Sequence, residues 1–312
     1  MKGKEFALDL ARGASLGTGI LPGVSVGTVS IIVGAYDKLI GSIANLRKEF
    51  VKSFLTLLPL ALGTIISAII LLVFWQKVAS LYFPFVIVAA LAGFVIGGLP
   101  IILKELKGSK ITFSGILRII LGTLLAAGIG IMSYLAAAGV FGNLSFEGAF
   151  LDPFDNAWIF PLVFVVGFIA AVACLIPGIS GSMVVFIFGL YQPIVDLYIS
   201  REGHPSIFHD TARLGSGLLL TLTIFVGAVL GLIIVSKAMK VLLEKHHLGT
   251  FQTVLGFVIG SLVAMFVNNQ MYDVYHNPMV NQWWQFLVGG IALVAMAILT
   301  FILIRRKTQE SN

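Results

Sequence analysis

The sequence predicts an all-α integral membrane protein built as an inverted repeat, each half a re-entrant helical hairpin followed by three transmembrane helices. Three observations carry that expectation. Of 312 residues, 58% are hydrophobic and 11% charged, with a mean hydropathy of +1.04, which leaves too little polar surface for a water-soluble domain. Six stretches are long and apolar enough to span a bilayer, at about 20 residues of about 1.5 Å rise each. Two further apolar stretches, 13–45 and 158–199, are each interrupted by a Pro-Gly pair.

The first half, residues 1–140, opens with a hairpin over 6–45 whose centre reads GILPGVSVGT at 19–28. From Thr28 to the polar Tyr36-Asp37-Lys38 is about 10 residues, or about 15 Å of helix, half a bilayer. The hairpin is therefore expected to turn back near the midplane. Spans follow at 54–75, 83–103 and 115–140. Residues 141–157 connect the halves and carry Glu147, Asp152 and Asp155 but no Lys or Arg. The second half, 158–312, repeats the plan with a hairpin over 158–199 and spans at 213–236, 251–268 and 283–304. Its first arm, Trp158 to Ile176, is nearly span length.

Charge sets the expected orientation. The net charge of +6 is not spread over a nucleic-acid-binding face, and no nucleic-acid partner is expected. The basic residues fall in short clusters beside the spans. Lys2, Lys4 and Arg12 precede the first tip, Arg47, Lys48 and Lys52 follow the first hairpin, and Lys104, Lys107 and Lys110 follow the second span. Lys237, Lys240, Lys245 and the terminal Arg305-Arg306-Lys307 complete the set. The positive-inside rule places both termini in the cytoplasm and the acidic 141–157 connection outside. Asp9 and Arg12 interrupt the run that would form a signal-peptide core, so the first segment is expected to stay in the mature chain. The single cysteine, Cys174, excludes an intrachain disulfide and a cysteine-rich metal site.

The halves are related in sequence. LPGVSVGT at 21–28 reappears as IPGISGSM at 176–183, with Gly34 matching Gly189 and Tyr36 matching Tyr191. GFVIG at 93–97 recurs letter for letter at 256–260. The two matches are collinear, as a duplicated unit requires. A unit of one hairpin and three spans crosses the membrane an odd number of times, so the second copy must sit upside down. Inverted repeats with broken helices are a transporter architecture in which the site lies where the repeats meet.

The tips suit an anion. Ser25, Gly27 and Thr28 open one helix and Ser180, Gly181 and Ser182 open the other, so hydroxyls, free amides and positive dipole ends are expected to converge. The expected site comprises Pro22, Gly23, Val24, Ser25, Gly27 and Thr28 of the first tip and Pro177, Gly178, Ile179, Ser180, Gly181 and Ser182 of the second. Arg118 and Arg12 complete it. The plain alternative for each tip residue is packing and turn formation. Arg118 is the best-placed cation for a phosphate, but it lies near the end of its span, where snorkelling to the surface is the stronger expectation. Arg12, on the entering arm, reads as an interfacial anchor or an entry contact. Asp37 and Asp196 are expected where the hairpins exit into water, and the histidines in loops. No metal site or cofactor is expected.

LPGVSVGTVSIIVGAYDKLI and IPGISGSMVVFIFGLYQPIV resemble the paired motifs of the polyprenyl phosphate transporter (PopT) family, and span number and spacing extend the resemblance over nearly the whole chain. The sequence departs from the usual pattern at Val26, which replaces a glycine, and at Met183, which replaces a threonine. The resemblance implies a bacterial plasma-membrane flippase that is not an enzyme. Its substrate would be undecaprenyl phosphate, the carrier lipid of cell-wall synthesis. The driving force is not readable from the residues, and proton and sodium coupling both stay open. Two rivals stand beside it. Undecaprenyl-diphosphate phosphatases share re-entrant hairpins and a P-G-x-S-R-S motif, but here Val26 and Gly181 occupy the arginine position. A small-anion channel would use the helix N-termini equally well and has no need of lipid access.

Overall fold

The computed structural model describes residues 3–20, 24–74, 83–108, 112–140, 147–177, 179–188, 190–200, 206–208, 213–277 and 282–310. Every regular element among them is helical. Six helices are long and apolar enough to cross a membrane, and the number rises to eight if each of two sharply bent pairs counts as one span. The chain is a multi-pass membrane protein.

The first segment is α1 (Gly3–Leu16), extended by a single 3-10 turn to Ile20. Beyond the tip, α2 (Val26–Ile32) returns and meets α3 (Tyr36–Asn45) at a bend of 118°. Gly34 makes that bend. Its φ of +69° belongs to the left-handed region that favours glycine. Its N–H donates to Ile31 O while Ala35 N–H donates to Ser30 O, the paired closure of a Schellman motif. The spans α4 (Phe50–Phe74), α5 (Pro84–Glu105) and α6 (Phe113–Ala137) follow. A short α7 (Glu147–Leu151) lies in the connection.

The second segment runs through α8 (Ile159–Leu175), α9 (Gly181–Ile187) and α10 (Tyr191–Tyr198), the last two bent by 108°. Leu190 N–H donates to Val185 O, the bond that Ala35 makes to Ser30 in the first segment. Val184 to Ser180 likewise matches Val29 to Ser25. Then come α11 (Leu214–Lys245), α12 (His247–Phe266), the short α13 (Asn269–His276) and α14 (Trp283–Glu310). At 32 residues α11 continues nine residues past the span expected at 213–236, carrying Lys237 and Lys240 on helix.

Glycines set the helix pairs. Gly13 of α1 lies against the Leu60 backbone and Gly63 of α4 against that of Leu10 to Ala14, so α1 and α4 run side by side in parallel. Gly227 and Gly231 of α11 lie on Phe164 and Phe168 of α8 in the same way. Gly93 and Gly97, from the first GFVIG, lie on Leu293 and Ala297 of α14; Gly256 and Gly260, from the second, lie on Ile119 and Thr123 of α6. Each copy of the motif thus meets the last span of the other half. Small residues at such seams let backbones approach closely where lipid offers no hydrophobic drive. Side chains of Ile31, Tyr36, Val95, Leu175, Val235 and Val258 fill a buried cluster drawn from both halves.

Candidate functional site

The two broken segments meet. Ser25 is the N-cap of α2: its Oγ accepts from Thr28 N at 3.3 Å and donates to Ile176 O at 3.4 Å, across to the second tip. A Cβ on Gly27 would stand 2.7 Å from Pro177 N and 2.9 Å from Ile176 C. Both neighbours are backbone, so only glycine allows the tips this close. Tyr36 Oη donates to Leu175 O at 3.3 Å and ties the start of α3 to the end of α8.

The second tip is built differently. Ser180 precedes α9 in extended conformation but makes no side-chain cap bond. Its Oγ lies 2.9 Å from that of Ser182. Gly181 abuts Cys174 Sγ and the Ala170 carbonyl, which explains why a small residue opens this helix. Tyr191, which matches Tyr36, has a buried Oη with no hydrogen-bond partner among the described residues.

Ile176 and Pro177 also floor a cavity of about 670 Å³. Its other walls include Arg118 of α6 and Lys245, His247, Thr250 and Thr253 at the junction of α11 and α12. Arg118 Nη1 donates to Gln252 Oε1 at 3.0 Å. His247 Nε2 stands 3.5 Å from a Glu105 carboxylate oxygen, which draws that acid towards α12. The cavity thus brings Arg118 and Lys245 onto the same lining as Ile176 and Pro177 of the second tip, among apolar side chains such as Met239, Val254 and Phe257. Cations such as Arg118 and Lys245 are groups that could hold a phosphate by charge-assisted hydrogen bonds. Among the described residues no group of three His, Cys, Asp or Glu has metal-binding geometry.

The structure brings together Ser25, Gly27 and Pro177, and Arg118 lines one cavity with Pro177. Arg118 is exposed and lines the same cavity as Ile176 and Pro177. Ser180, Gly181 and Ser182 lie at the opening of α9. Val24 and Ile179 are buried in apolar clusters and offer only backbone to a ligand. Thr28 is buried, with its N–H held by Ser25. Pro22, Gly23 and Gly178 lie outside the described residues. Arg12 lies apart from the cavity walls and pairs with Asp9 at 3.0 Å. Asp37 is exposed, whereas Asp196, expected in water, is buried and accepts from Gln192 at 2.8 Å, because α10 continues beyond the bend. Gln252, Thr250 and Thr253 were not legible as site residues, since they stand on an apolar span with no motif around them. Lys245 read only as an orientation signal.

Residues 17–283 match the profile of the VCA0040-like family, described as undecaprenyl phosphate translocase-like. The chain belongs to this family. It is 29% identical over 268 residues to the polyprenyl-phosphate transporter of Staphylococcus aureus strain NCTC 8325, covering 83% of this chain and 86% of that protein. It is 25% identical over 281 residues to the polyprenyl-phosphate transporter of Vibrio cholerae serotype O1, covering 84% and 79%. No solved structure matches it. The resemblance read from the paired Pro-Gly motifs therefore holds over most of the chain of this VCA0040-like protein.

Proposed function

We propose that this VCA0040-like protein is a flippase for polyprenyl phosphate, undecaprenyl phosphate in particular. It would return the carrier lipid of cell-wall synthesis from the outer to the inner leaflet of the bacterial plasma membrane. The observation that carries the reading is the junction of the two tips, Ser25 and Gly27 against Ile176 and Pro177, opening onto a cavity edged by Arg118 and Lys245. A prenyl tail can remain in hydrocarbon, so the protein must supply a polar path for the phosphate alone across about 30 Å. Backbone that leaves its helix at that depth is tolerated where protein or a polar cavity surrounds it.

The mechanism follows from the proposed symmetry. The halves are inverted repeats and each bent segment is a re-entrant hairpin, a reading supported by the recurring Schellman bond and by the reciprocal seating of the two GFVIG motifs. The phosphate is held between the tips, and one half rocks against the other to open the slot to each leaflet in turn. Both termini lie in the cytoplasm, in keeping with the Lys and Arg clusters. A proton or sodium gradient drives the cycle.

Reconstitution in liposomes carrying undecaprenyl phosphate tests this. Expected is exchange of the lipid between leaflets without release of inorganic phosphate from undecaprenyl diphosphate. Arg118→Ala should slow exchange about tenfold, the scale of one charge-assisted hydrogen bond, while exposed Lys52→Ala leaves it unchanged. Phosphate release would replace the transporter with a phosphatase, and chloride flux without lipid exchange would replace it with an anion channel.

A further inference from the structure

We infer that Asp9, Arg12 and Lys38 form an anion-docking station for a phosphate monoester, on the side of the molecule from which the first hairpin enters. Asp9 is only 1% exposed, yet its two carboxylate oxygens each accept from a different cation, Arg12 of α1 and Lys38 of α3. One cation would neutralise it. The second leaves the cluster at +1, with the Arg12 and Lys38 side chains 20% and 35% exposed. Arg12 Nε is buried without a hydrogen-bond partner among the described residues. A guanidinium has five N–H donors and an ammonium three, so most of the donors around this carboxylate are left for another acceptor.

Gly13 packs on Leu60, six residues into the span expected at 54–75, so Asp9, four residues earlier, stands about 3 Å inside the mouth of that span. A buried carboxylate held by two cations at such a mouth marks a candidate substrate path. The matching positions of the second hairpin are Phe164, Gly167 and Pro193, so the charge stands on one side of the tip junction only. Asp9 acts as a positioning residue: it fixes two cations from separate helices and offsets one of their charges, so that an anion is caught and still released. That the anion is a lipid headgroup rests on the transport reading; free inorganic phosphate has the same oxygens.

Charge-order binding tests the station, using the full-length protein in zwitterionic nanodiscs and farnesyl phosphate as probe, with farnesol as neutral control. Expected is binding of farnesyl phosphate but not farnesol, about tenfold weaker in Lys38→Gln, where the cluster falls to zero charge. In Asp9→Asn, at +2, binding should hold or tighten while leaflet exchange of undecaprenyl phosphate slows. The double variant, back at +1, should return to within a few-fold of the parent. A merely structural bridge gives the opposite: both single variants lose binding and the double does not recover, which overturns the proposal, as does indifference to all three. Competition by inorganic phosphate at equal affinity would overturn the lipid assignment. Leaflet exchange by the parent separates the two readings. Exchange without the charge order removes the station alone, and the charge order without exchange removes the transport reading alone.

Discussion

The two tip serines occupy equivalent places in the sequence and do different work. Ser25 caps α2 and bonds to the other tip, whereas Ser180 caps nothing and faces Ser182. Ser25→Ala should therefore cost about 1 kcal/mol, as loss of an N-cap does, and Ser180→Ala a few tenths at most. Thermal unfolding in detergent reads the difference. Both should slow leaflet exchange, and a Ser180→Ala protein as destabilised as Ser25→Ala would show a cap bond absent from this structure. The two departures from the family motif are also packing events. Val26 sets its Cγ2 in the space that a side chain at Gly19 would need, and Met183 is fully buried. The larger residue at 26 is thus matched by a glycine at 19.

At the scale of elements, the six spans were legible because apolar length alone announces them, and the two bent segments because Pro-Gly interrupts an apolar run. Which helix faces which was not. A helix that is apolar all round has no amphipathic stripe to orient it, and the GFVIG glycines show their partners only once Gly93 meets Leu293 and Gly256 meets Ile119. The second-tip cavity was hidden for the same reason, since Thr250, Gln252 and Thr253 carry no motif. Asp9 and Arg12, three residues apart on one helix, were a readable pair; Lys38 was not, because the 118° bend brings it back. The seams make a sharp stability prediction. Gly256→Val drives side-chain atoms into the Ile119 backbone and should cost about 1–3 kcal/mol. Gly128→Ala, with nothing within 4 Å of the added Cβ, should change stability by less than about 0.5 kcal/mol. Equal losses at the two sites would mean that the α6–α12 seam is looser than its glycines indicate.

For the molecule as a whole, the question is whether the tip junction is a fixed weld or a gate. Among the described residues the contacts across it include a hydroxyl to Ile176 O, a glycine against Pro177 and a phenol to Leu175 O. Each net hydrogen bond is worth about 1 kcal/mol, so breaking these two would cost about 2 kcal/mol. The long seams, α1 on α4, α8 on α11 and the two crossed GFVIG pairs, are backbone-tight and would move as bodies. Alternating access then requires the tips to separate while the seams hold. Cysteines introduced as Ser25→Cys and Ile176→Cys, in a Cys174→Ala background so that no native thiol competes, can be bridged by a short bifunctional maleimide carrying a cleavable linker. Bridging should stop leaflet exchange of undecaprenyl phosphate, and cleaving the linker should restore it in the same preparation, which serves as its own control. If exchange continues at full rate with the tips bridged, the junction stays closed throughout the cycle, and the headgroup passes beside it, along the Arg118 cavity.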